Sequence, residues 1–137
     1  MNEVIVVITS VVAAAATLFV SHDLKQGPVR ASAILSLAVA VIFLFFPSSM
    51  KANYLVVNIP LVFIGASFVG MTSKVHFKNW MYAVFSGLVF GLIFLGTQDV
   101  FNGFGGGLGA KACLSVLTTI GVEYLVTLVF EKIVKTR

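Results

Sequence analysis

Between residues 111 and 127 a polar side chain recurs at every fourth position: Lys111, Ser115, Thr119, Glu123 and Thr127. Spacing by four on a helix sets side chains along one slowly turning face, and Thr118 falls on it as well. The chemistry open to such a face is that of oxygen. Glu123 can exchange a proton or coordinate a monovalent cation, with the Ser115 and Thr119 hydroxyls supplying further oxygens. It is the one acid inside any long apolar run of the chain, and an ionisable group in such a place calls for a partner. Lys111 is about 18 Å away by helix rise, too far to serve within one helix. Arg30, one turn into another apolar run, is the cation expected to pair with Glu123, with Ser32 and Ser36 as a small-residue seat.

Asn58 stands two residues before Pro60 in "VVNIPLVF". Proline removes a helix hydrogen bond and frees a carbonyl one turn earlier. Asn58 is placed to satisfy that carbonyl or to join Glu123 as an ion ligand. No carboxylate pair, His/Cys/Asp triad or nucleophile motif stands at either end of the apolar runs, so an enzyme is not expected. The single cysteine, Cys113, has no internal disulfide partner. No metal-ligand spacing exists and no cofactor is implied.

The stretch "VFNGFGGGLGAK" puts Gly103, Gly105, Gly106, Gly107 and Gly109 into seven consecutive positions, with Lys111 just after. Gly105 to Ala110 match G-x-G-x-x-A, but no strand precedes them, as a dinucleotide fingerprint requires. A phosphate loop of the Walker type needs Ser or Thr after its lysine, and Ala112 is there instead. Nucleotide binding is therefore not expected. Two readings stay open: an external turn, or a partly re-entrant segment forming an outer mouth from these glycines and Lys111, flanked by Gln98, Asp99 and Asn102. Irregular backbone at membrane depth is tolerated only inside protein or along a watery cavity.

The elements that would position these residues are set by composition. Of 137 residues 59% are hydrophobic and 10% charged, whereas a soluble domain runs about 45–50% apolar and about 25% charged. Mean hydropathy is +1.07. The length suits a single domain over 1–137. About 20 apolar residues cross a bilayer, and five runs qualify: roughly 4–20, 29–46, 54–71, 80–96 and 110–130. Nothing alternates at period two, so strand spans are excluded. "MNE" lacks the basic residues of a signal peptide, and the first run reads as a retained helix. The fold expected is an all-α polytopic transmembrane bundle. Within its last run, Glu123 lies about 10 Å by helix rise from the cytoplasmic end.

Lysines and arginines sort by side. Lys25, Arg30, Lys74, Lys78, Lys132, Lys135 and Arg137 follow runs one, three and five, while only Lys51 and Lys111 fall on the other side. Seven against two places the N-terminus outside and the C-terminus in the cytoplasm. This sorting, rather than a basic patch, accounts for the formal charge of +4, and no nucleic-acid partner is expected. The location expected is a bacterial cytoplasmic (inner) membrane.

Gly87-x-x-x-Gly91 is a close-approach helix motif. Gly65, Ala66, Ser67 and Gly70 offer a matching surface, so runs three and four are expected to pack as a hairpin, with a second copy as the other candidate for the glycines. "AAAA" at 13–16 marks a small-residue face on run one. Short, glycine-rich and helical, the chain resembles the small dimeric fluoride channels in architecture. Its residues depart from that family: Asn58 lies seven positions before Gly-Ala-Ser-Phe, and no Thr-Thr-Phe-Ser break is present. No family is assigned. The function expected is a small-ion pathway, for a proton or a monovalent cation, completed by homo-oligomerisation or a partner subunit in the lipid bilayer. The alternative is a non-catalytic accessory or scaffold subunit of a larger membrane complex.

Overall fold

A computed structural model describes residues 2–45, 53–73, 75–77, 79–97, 100 and 106–135. Five helices follow one another: α1 (Asn2–His22), α2 (Pro28–Phe45), α3 (Asn53–Gly70), α4 (Trp80–Gly96) and α5 (Gly107–Lys135). Each lies within a few residues of its apolar run, apart from the extended ends of α5. Among the described residues there is no strand. α1, α2 and the 107–133 stretch of α5 are long and apolar enough to cross a membrane, and α3 and α4 are shorter apolar helices.

Local chemistry sets the first reversal. Lys25 and Gly27 take positive φ of 54° and 81°, which turns the chain between α1 and α2. Pro28 then opens α2, where its missing N–H is no loss. The connection between α3 and α4 closes on Ser73, whose carbonyl accepts from His76 N and Phe77 N at 3.0 Å each.

α1 packs against α2, α3 and α4, while α5 rests on α3 and α4. The buried face of α1 is Val6, Ser10, Ala13, Ala14, Thr17, Leu18 and Ser21, all small or of modest size. Onto it come the glycines. A Cβ at Gly87 would lie 3.0 Å from Ser10 O and Val11 Cα, one at Gly91 2.5 Å from Ser10 Oγ, and one at Gly70 2.5 Å from Ala14 O. The expectation that the α3 and α4 glycines meet each other therefore holds only for Gly65, whose missing Cβ would strike Phe90 of α4. Gly70, Gly87 and Gly91 face α1 instead, because its alanine and serine face lets two backbones approach at once.

Hydroxyl side chains share the interior with apolar ones, and many large apolar side chains face outward. Ser10, Thr17, Ser21, Ser32, Ser67, Ser86, Ser115 and Thr119 are buried, and Leu, Val, Ile and Phe dominate the outside. Where the surroundings are apolar, helices gain nothing by hiding large apolar side chains and associate through small residues and hydroxyls. Ser10 Oγ lies 2.7 Å from Val7 O and 2.8 Å from Gly87 O, two acceptors for one proton. Ser32 and Ser67 join α2 to α3 at 2.7 Å. Thr17, Ser21 and Ser86 are buried with no hydrogen-bond partner among the described residues.

Glycine substitutions test this packing. Gly70→Ala forces α3 off the α1 backbone and lowers stability by about 1–3 kcal/mol, the range for overpacking. Gly121, with nothing within 4 Å of its absent Cβ, is the control: Gly121→Ala stabilises by about 0.5–1 kcal/mol through helix propensity. Thermal unfolding of the two variants in one detergent reads both signs.

Candidate functional site

The four-spaced stripe lies on α5 as expected, but its surroundings change along the helix. Lys111, Ser115 and Thr119 are buried, Glu123 is half-buried and Thr127 is exposed. Lys111 Nζ sits 4.8 Å from the centre of the Phe94 ring, within cation–π range. The hydroxyls bond back to their own helix: Ser115 Oγ donates to Ala112 O at 2.8 Å, Thr119 Oγ1 to Ser115 O at 2.9 Å and Thr127 Oγ1 to Glu123 O at 2.9 Å. Such back-bonding commits each proton to a carbonyl and leaves each oxygen able only to accept.

Glu123 receives a bond from α4. Tyr82 Oη donates to Glu123 Oε1 at 3.0 Å. The Tyr82 ring stacks on Phe77 with centroids 6.2 Å apart, and Phe77 is itself only 2% exposed. A buried ring at the α3–α4 reversal thus aims the phenol at α5. Asn79 is the N-cap of α4 but makes no side-chain capping bond, so its amide is not committed to the helix end.

Tyr82 and Glu123 stand in an open groove of about 430 Å³ between α4 and α5, with Asn79, Thr119 and Thr127 as the other polar residues lining it among those described. Met81, Phe85, Val122 and Val126 form the apolar walls. Of the residues assigned to a pathway from sequence, Thr119 and Glu123 meet in this groove. Ser115 lies one turn further along α5, buried and not lining it.

Three expectations are corrected. Arg30 does not come to Glu123: it is exposed on α2, which packs on α1 and α3, while α5 sits on α3 and α4. Asn58 lies apart from the groove, and its Nδ2 donates to Tyr54 O at 2.8 Å. That carbonyl is one turn before Asn58 itself, whereas the one Pro60 would leave free belongs to Val56. The glycine stretch ends earlier than expected, because α5 starts at Gly107, with Ala110 N donating to Gly106 O at 3.0 Å. Gly107, Gly109 and Lys111 are thus helical, and no Cβ at Gly106 or Gly109 would meet a neighbour. Gly103 and Gly105 lie outside the described residues, as do Gln98, Asp99 and Asn102.

Tyr82 is the site residue that sequence reasoning missed. The signal was there: a hydroxylated aromatic near the start of one apolar run, facing an acid near the end of the next, as an antiparallel pair requires. Among the described residues no group of His, Cys, Asp and Glu could hold a metal ion. No protein-family model, curated protein or solved structure matches the chain.

A double-mutant cycle separates the two partners offered for Glu123. Tyr82→Phe and Glu123→Ala shift the thermal midpoint non-additively, whereas Arg30→Gln and Glu123→Ala add. Coupling between Arg30 and Glu123 would contradict the observed arrangement.

Proposed function

We propose that the chain is an integral membrane protein of five spans, N-terminus outside and C-terminus cytoplasmic, in a bacterial inner membrane. Its α4–α5 groove is part of a pathway for a small ion, a proton or a monovalent cation, with Glu123 as the exchanging or coordinating group. The observation that carries this reading is the Tyr82–Glu123 hydrogen bond in a groove open on the outside of the bundle. Glu123 is ten residues from the end of the 107–133 apolar stretch, about 15 Å by helix rise. A carboxyl group at such depth is costly unless it meets a partner or an ion. α3 and α4, as apolar helices of 17 residues, are at the short end of the about 17–25 that cross a bilayer.

One chain does not enclose this groove, so a second copy or a partner subunit closes it. An accessory role drew support from glycine-rich helix faces left for other proteins. Gly70, Gly87 and Gly91 are occupied by α1, so of that reading's three supports the short loops and the absence of a soluble domain are left.

The test is ion flux into liposomes containing the purified chain. Glu123→Gln brings flux down to that of empty liposomes while the protein keeps its native mass in mild detergent. Flux equal to that of the unaltered chain would sink the assignment of Glu123.

A further inference from the structure

We propose that a second copy of this chain is the partner that closes the groove, its α5 lying parallel to the first along a seam of Val122, Val126, Val129 and Ile133. This deepens the reading above by naming the partner it leaves open, and rests on its placing α5 across a bilayer.

The seam is a continuation. Ala112, Ser115 and Thr119 are buried on the side of α5 that meets α3 and α4. Their spacing by three and four runs on without a break through Val122, Val126, Val129 and Ile133, the repeat that keeps one face of a helix toward a partner helix. Val122 is 41% exposed and Val129 57%. The face that packs inside the chain in the first half of α5 is uncovered in the second.

Length separates the end of this face from lipid. Tyr82 is bonded to Glu123, and Asn79 and Thr127 line the groove beyond them. From Thr127 α5 continues to Lys135, about 12 Å by helix rise past the start of α4. Its apolar stretch of 27 residues exceeds the about 17–25 that cross a bilayer, whereas α4 has 17 residues. Over these last turns Val129, Phe130 and Ile133 share one face, and Glu131, Lys132 and Lys135 the other. α5 is a single helix to Lys135, so its end keeps the direction of the span instead of turning to lie along the membrane surface. The polar face meets water, and the apolar face is covered by protein.

Self-matching selects a second copy as that protein. About a two-fold axis the same patch meets itself, so Val126, Val129 and Ile133 each meet an identical apolar side chain, and Glu131, Lys132 and Lys135 stay off the seam. Val126 and Ile133 are β-branched at the seam positions where such residues favour two parallel strands. Because α5 is already held by α3 and α4 through its first half, pairing does not bear the cost of starting a helix.

The experiment is cysteine cross-linking of the full chain in its own membrane, in a Cys113→Ser background, with copper phenanthroline as the oxidant. Val126→Cys, Val129→Cys and Ile133→Cys are expected to give a disulfide-linked dimer, and Tyr124→Cys and Leu128→Cys, on the opposite side of α5, to remain monomeric. Val129→Glu is expected to halve the native mass in mild detergent with no loss of helix content. Equal dimer at all five positions would overturn the proposal by showing random collision. No dimer at any of them would overturn it in favour of an α5 tilted into lipid. A cross-link to a different protein would overturn the second copy as occupant. Glu123-dependent flux without seam cross-links would remove this inference and leave the pathway reading standing. The seam pattern without such flux would uphold the pairing and remove the pathway.

Discussion

α4 lies on the backbone of α1, and the positions of the other helices follow from that approach. At Gly87 and Gly91 there is no room for a methyl group before Ser10, Val11 or Val7 is met. The same helix receives α3 at Gly70. With three neighbours already on α1, the fifth helix has only the far side of α3 and α4 to rest on. That exclusion is what puts Glu123 opposite Tyr82 and away from Arg30. A constraint at one seam thereby selects the partner of a carboxylate on another helix.

The chemistry of the groove comes from how helices treat hydroxyls. In water a threonine can direct its proton outward, but in an apolar setting the nearest good acceptor is the carbonyl one turn back. Thr119 and Thr127 both take it. The face they present is uniformly accepting even though every side chain on it is nominally both donor and acceptor. Tyr82 completes the pattern, because its hydroxyl donates to Glu123.

Much of the architecture was legible from sequence, and for a simple reason. The length of an apolar run is a one-dimensional quantity, and all five helices fall where such runs do. What could not be read is azimuth, the direction in which each helix turns its faces. The apolar runs are hydrophobic all round, so pattern gives no inward side to α4 or α5. Glycines 87 and 91 were recognised as a contact surface but matched to α3 when they belong to α1. Glu123 was recognised as the acid needing a partner, and charge suggested Arg30 where geometry supplied the neutral Tyr82. Asn58 was read for Pro60, but its amide reaches the carbonyl of Tyr54 one turn before it. Chain position erred mainly at the two ends of α5, where glycines read as loop already belong to its first turn and the helix runs on to Lys135.

The two acceptors of Ser10 gain a meaning when the chain is considered in time. Gly87 is 77 residues downstream of Ser10, which at about 5–20 residues per second of synthesis is roughly 4–15 s. Through that interval α1 exists without the helix it is built to receive. Val7 O, in the preceding turn, holds the hydroxyl proton meanwhile. When α4 arrives, the proton needs only a small rotation to reach Gly87 O. Ser10 is thus stored in a satisfied state, and the docking of α4 exchanges one hydrogen bond for another without leaving this hydroxyl bare.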